Sequence, residues 1–147
     1  MLKKIHPIAG VIGFLTILTF WSSTVVSELF STPEGIAAVK AMILKGMFLL
    51  IPAMIIVGAS GMKLGVRRKD APACAKKKRM PVIAINGLVI LLPAAIFLES
   101  RASAGQFDTT FFIVQTLELV AGATNLLLMG LNIRDGRKMT AHLRQPI

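Results

Sequence analysis

The sequence predicts an all-α fold, a transmembrane four-helix up-down bundle with both termini on the cytoplasmic side. Three observations predict it. Four apolar stretches, about 7–30, 36–62, 81–100 and 107–133, each reach the roughly 20 residues a helix needs to cross a bilayer core. Hydrophobic residues make up 54% of the chain, above the share of an ordinary soluble domain, and the mean hydropathy of +0.72 agrees. The positive charge is one-sided. Lys63, Arg67, Arg68, Lys69, Lys76, Lys77, Lys78 and Arg79 fall between spans two and three. Lys3 and Lys4 precede span one, and Arg134, Arg137, Lys138 and Arg144 follow span four. The other two connections carry Glu28, Glu34, Glu99 and Asp108, with Arg101 as the exception. Positive loops stay in the cytoplasm, which sets the N-in/C-in topology. The net charge of +10 is thereby explained by topology and by attraction to anionic lipid headgroups, and not by nucleic acid binding.

Each element follows in order. At 147 residues the chain has room for one membrane domain, 1–147. Span one opens after Lys3-Lys4. Its apolar run from Ile8 to Val26 exceeds the roughly 7–15 residues of a signal-peptide core, so an uncleaved helix is expected. Ser31-Thr32-Pro33-Glu34-Gly35 is a turn: proline fixes φ, and Ser or Thr caps the next helix. Short connections join antiparallel neighbours, so spans one and two form one hairpin and spans three and four another. Pro52 and Pro93 lie inside spans two and three, where each removes a backbone hydrogen bond and predicts a kink. Their similar surroundings, Leu50-Ile51-Pro52-Ala53 and Leu91-Leu92-Pro93-Ala94, are too short to establish an inverted repeat. Residues 63–80 read as a basic cytoplasmic loop holding Pro72 and the single cysteine, Cys74, which has no intrachain disulfide partner.

The most informative face belongs to span four. Gln115, Glu118, Gly122, Asn125, Met129 and Asn132 recur at alternating three- and four-residue steps, one stripe on one side of a helix. Lipid cannot satisfy these side chains, so the stripe is expected to face the bundle interior. Glu118 lies some three turns into its span, where a carboxylate is a functional candidate by default. Lys45 on span two sits at a comparable depth and is its expected partner in an ion-pair clasp. The sharper alternative makes Glu118 a proton-relay or ion-binding carboxylate. Asn86 on span three is expected to bond Asn125 across the helices.

His6 and His142 are the only histidines, and both are predicted at the cytoplasmic face. Two imidazoles can ligate a b-type haem, with its propionates held by cations such as Arg134 or Arg137. Gly10 and Gly13 share a face with His6 and would leave room for a porphyrin plane. The plainer reading is two interfacial histidines and a glycine face for helix packing. Gly58, Gly61 and Gly65 support the same close approach, within the bundle or in a homodimer. The eight methionines are scattered and fill the core, and the hydroxyls of span one bond their own backbone. No metal-binding Glu-x-x-His pair, nucleophile with its base or Gly-rich phosphate loop is present, which points away from an enzyme.

The run His6-Pro7-Ile8-Ala9-Gly10, continuing to Phe20-Trp21-Ser22-Ser23-Thr24 and Ser27-Glu28-Leu29-Phe30, resembles a group of small bacterial membrane proteins with no assigned role. The resemblance implies a bacterial inner membrane and no particular activity. In architecture alone the chain is similar to cytochrome-b-type membrane bundles. Those place haem-ligand histidines inside their helices, whereas His142 of this chain lies beyond the last span. Three functions are therefore carried forward: a non-catalytic accessory or interaction subunit of a larger membrane complex, a haem-binding electron-transfer protein using His6 and His142, and a small transporter or proton-conducting bundle centred on Glu118.

Overall fold

The computed structural model describes residues 1–66 and 68–141. His142 and the cations Arg67 and Arg144 lie outside the described residues. The chain is all-α: α1 (Leu2–Phe30), α2 (Pro33–Gly65), α3 (Ala71–Ile85), a π-helical segment (Asn86–Leu91), α4 (Leu92–Ser103) and α5 (Thr109–Ala141). The chain from Ala71 to Ser103 acts as one long helix, so four helices are long and apolar enough to cross a membrane. This is the pattern of a multi-pass membrane protein. Phe48, Ile55, Leu88 and Leu127 stand exposed on the outer faces, which suits lipid and not water.

The helix ends follow from local chemistry. Thr32 caps α2 by accepting a hydrogen bond from the Gly35 N–H, and Pro33 takes the first helical position, where its missing N–H matters least. Asp108 caps α5 by accepting from the Phe111 N–H at 2.9 Å. Between them Gly105 adopts φ 68°, the left-handed turn that ends α4.

Two expectations about elements are corrected. The stretch 63–80 is not a loop. Helix α2 continues to Gly65 and α3 begins at Ala71, leaving a short link in which Arg68 Nε donates to Asp70 Oδ1 at 2.9 Å. The Arg68 guanidinium holds the Asp70 carboxyl below the usual carboxylate range. Hydropathy marks where lipid ends, but Ala and Lys are good helix formers and carry α3 past that limit. The second correction concerns Pro93. Helix α2 runs on through Pro52, while at Pro93 the backbone widens into the π-helical segment, with the Leu92 N–H bonded to Gly87 O. A proline ring presses on the carbonyl four residues back, and a wider turn relieves that contact.

Packing sets the register. His6 meets Ser60, Gly10 faces Val57, Gly13 faces Met54 and Phe20 faces Gly46, so α1 and α2 pair in opposite senses. One apolar cluster, Ile36, Leu98, Ala102 and Phe111, closes the end of the bundle beside the Ser31–Thr32 turn, the turn end. A second, Ile17, Ile83 and Met129, joins α1, α3 and α5 toward the opposite, basic end.

Candidate functional site

The inner face of α5 carries buried polar groups at three depths, and each depth is tied to another helix. Nearest the turn end, Lys40 is only 1% exposed. Its Nζ donates to Gln115 Oε1 and to Glu118 Oε2, the latter at 3.1 Å. Gln115 Nε2 donates to the same Glu118 oxygen at 3.1 Å. At mid-depth Asn86 Nδ2 donates to Asn125 Oδ1 at 2.8 Å and to Ala121 O at 2.9 Å, and Asn125 Nδ2 donates to Ile83 O. Toward the basic end Arg79 Nη1 donates to Asp135 Oδ2 at 2.7 Å and to Asn132 Oδ1 at 3.4 Å. Arg134 donates to the other Asp135 oxygen at 3.3 Å.

The partner of Glu118 is therefore Lys40, which corrects the expected Lys45. Lys45 is exposed and makes no such bond. Five residues separate the two lysines, about 140° around a helix of 3.6 residues per turn, so they cannot share a face. Lys40 lies on the stripe Ile36, Lys40, Ile43, Met47, Leu50, Met54, Val57, whose three- and four-residue steps are readable in the sequence. Glu28, by sequence only a charge at a span end, stands within electrostatic reach of Lys40 and Glu118. Its Oε1 is buried without a hydrogen-bond partner among the described residues. The ion pair of Lys40 is with Glu118 alone among the described residues.

Glu118 also has a second face. All its bonds run to Oε2, while its side chain borders a cavity of about 300 Å³ between the helices. The walls are otherwise apolar or uncharged and include Phe20, Trp21, Met47, Met54 and Leu91. Trp21 Nε1 donates to Leu119 O at 2.9 Å, which fixes the indole between α1 and α5. A Cβ at Gly122 would stand 3.0 Å from the indole, so glycine permits this approach.

His6 Nδ1 lies 2.8 Å from Ser60 Oγ, and the Ser60 hydroxyl itself donates to Ile56 O. With that proton committed, Nδ1–H is the donor, and the lone pair of Nε2 is left for another partner. The face beneath His6 is filled. A Cβ at Gly13 would meet Met54 Sδ at 3.1 Å, and one at Gly10 would touch Val57 at 4.0 Å. Gly10 and Gly13 therefore serve the approach of α1 to α2 and leave no slot for a porphyrin, so the residues around His6 do not fit a haem. Among the described residues no three His, Cys, Asp or Glu side chains converge as a metal site. No protein family matches the chain, and no curated protein or solved structure matches it either.

Proposed function

We propose that this protein is a non-catalytic membrane module, an accessory or interaction subunit of a larger membrane assembly, with the polar stripe of α5 serving as glue between its own helices. The observation that supports this reading is the pairing at three depths: Lys40 with Glu118 and Gln115, Asn86 with Asn125, and Arg79 with Asp135 and Asn132. Groups held in this way order helices. The reading includes an up-down bundle in a bacterial inner membrane, both termini cytoplasmic, with the basic end against anionic headgroups. The opposed pairing senses and the clustering of cations near Arg68–Arg79 and Arg134–Lys138 support it.

The test is extraction of the chain, tagged at its native expression level, in polymer-bounded native lipid discs. A second protein at fixed stoichiometry is expected, retained in Glu118→Gln while thermal stability falls. A chain that runs only alone, or a Glu118→Gln protein as stable as the parent, would count against the reading.

A second reading, a small transporter or ion-binding bundle centred on Glu118, is favoured by one observation. Glu118 lines the cavity, its Oε1 makes no hydrogen bond among the described residues, and a second carboxyl, Glu28, stands within electrostatic reach. Reconstituted liposomes test it: a proton or cation flux lost in Glu118→Gln supports it, and an unchanged flux removes it.

A further inference from the structure

The cavity beside Glu118 has an opening. Helix α2 packs on α4 but parts from the π-helical segment, with no Cα atoms of those two within 8 Å among the described residues. Ile51, Ile55 and Leu88 border the cavity and are 38%, 64% and 62% exposed. The mouth therefore looks out between α2 and the π-helical segment, where lipid chains lie. Its volume of about 300 Å³ falls at the lower end of small-molecule sites.

The wall chemistry is selective. Glu118 is the only ionisable residue among those that line the cavity. Lys40 and Gln115 hold its Oε2, which orients the carboxylate and leaves Oε1 without a hydrogen bond among the described residues. Glu28, whose Oε1 is buried without a hydrogen-bond partner among the described residues, adds a second carboxyl within electrostatic reach of the Lys40–Glu118 pair. Trp21 and Phe20 add aromatic faces to the same wall, and Trp21 is tied in place through its N–H. A carboxylate and aromatic side chains lining one apolar chamber make a surrounding that favours an organic cation.

We propose that this cavity binds a lipophilic monocation, an amine or quaternary ammonium on a hydrocarbon body, which enters from the bilayer between α2 and the π-helical segment and sets its charge against Glu118 Oε1. The inference deepens the Glu118 reading by naming what the carboxylate meets. It concerns equilibrium binding, so a protein that binds but moves nothing across the membrane leaves it standing.

The test uses the full chain in lipid nanodiscs of zwitterionic lipid, titrated with decyltrimethylammonium, with empty discs subtracted. Trp21 is the only tryptophan and lies in the wall, so its emission reports occupancy. Decanol, which has the same chain length and no charge, is the comparison probe. Two variants accompany it. Glu118→Gln removes the charge. Gly58→Leu extends into the chamber from α2, at a position where an added Cβ meets nothing within 4 Å. A saturable response is expected, weakened about tenfold or more by each variant and for decanol. A wild-type protein without saturation, decanol binding as tightly as the ammonium, or a Gly58→Leu protein that binds normally would each overturn the proposal. Should Glu118→Gln fail to fold, the decanol comparison and Gly58→Leu decide.

Discussion

Replacing Lys40 by Met should destabilise the bundle more than any other single change at a charged position on α2. Lys40 is 1% exposed and its Nζ lies 3.1 Å from Glu118 Oε2. At an effective dielectric near 20, that separation corresponds to an attraction of about 5 kcal/mol, part of which offsets the desolvation of both groups. Removing the ammonium leaves Glu118 without its counter-charge, and breaking such a buried pair typically costs about 3–5 kcal/mol. The assay is reversible unfolding in mixed micelles, followed by the emission of Trp21, whose bond to Leu119 O reports the contact of α1 with α5. Lys40→Met should lose about 3–5 kcal/mol. The double variant Lys40→Met/Glu118→Gln should lose less than the sum of the singles, with a coupling of about 1–3 kcal/mol. Lys45→Met, five residues on and outside the ion pair, should stay within about 0.5 kcal/mol of the parent. Additive singles, or a Lys45→Met loss equal to that of Lys40→Met, would refute the assignment of the ion pair.

Three further outcomes are expected. Gly46→Ala should lose about 1–3 kcal/mol in the same assay, because its new Cβ would collide with the Phe20 ring, and Phe20→Leu should recover part of that loss. Cys74, exposed and the only cysteine, should react with a membrane-impermeant maleimide in inverted membrane vesicles and not in intact cells; the opposite labelling would place the basic end outside. A reduced-minus-oxidised spectrum of the purified protein, expressed with ample haem, should be featureless, since Met54 and Val57 fill the face beneath His6. Sharp b-type bands that vanish in His6→Ala would reverse that expectation.

The stripe on α5 is legible because lipid leaves polar side chains no alternative to the interior, and periodicity alone then names the face. Depth is legible too, but depth without azimuth selects Lys45. The apolar steps through Ile36, Ile43 and Met47 pass through Lys40 and miss Lys45, so the right signal is in the chain and belongs to its neighbours. Glu28 and Arg79 are hidden for a different reason. Charges near span ends are explained by topology, and that explanation gives no cause to look for partners. In the fold, Arg79 reaches Asp135 because α3 and α5 extend past the apolar limits that hydropathy draws, and Glu28 comes within electrostatic reach of Lys40 because α1 packs beside α2 and α5.

The π-helical segment links a legible residue to an illegible consequence. Pro93 can be read as a local disturbance, but not as the maker of a chamber. A π-turn takes in one extra residue, and its removal would rotate the preceding chain by about 100°. That rotation would carry Asn86 away from Asn125 and Ala121 O, and would turn Ile83, 1% exposed, out of the packing with Ile17 and Met129. The two forces agree in the native chain: the proline disfavours a regular turn, and the asparagine bonds hold the wider one. Pro93→Ala removes only the first. Restoring a backbone bond is worth about 1 kcal/mol, less than two cross-helix bonds and a buried isoleucine together. The π-turn, and with it the mouth between α2 and the π-helical segment, should therefore survive Pro93→Ala, with Trp21 emission unchanged. It should be lost only when Asn86→Leu is added. A single Pro93→Ala variant that already shifts Trp21 emission would show that the proline alone keeps the chamber open.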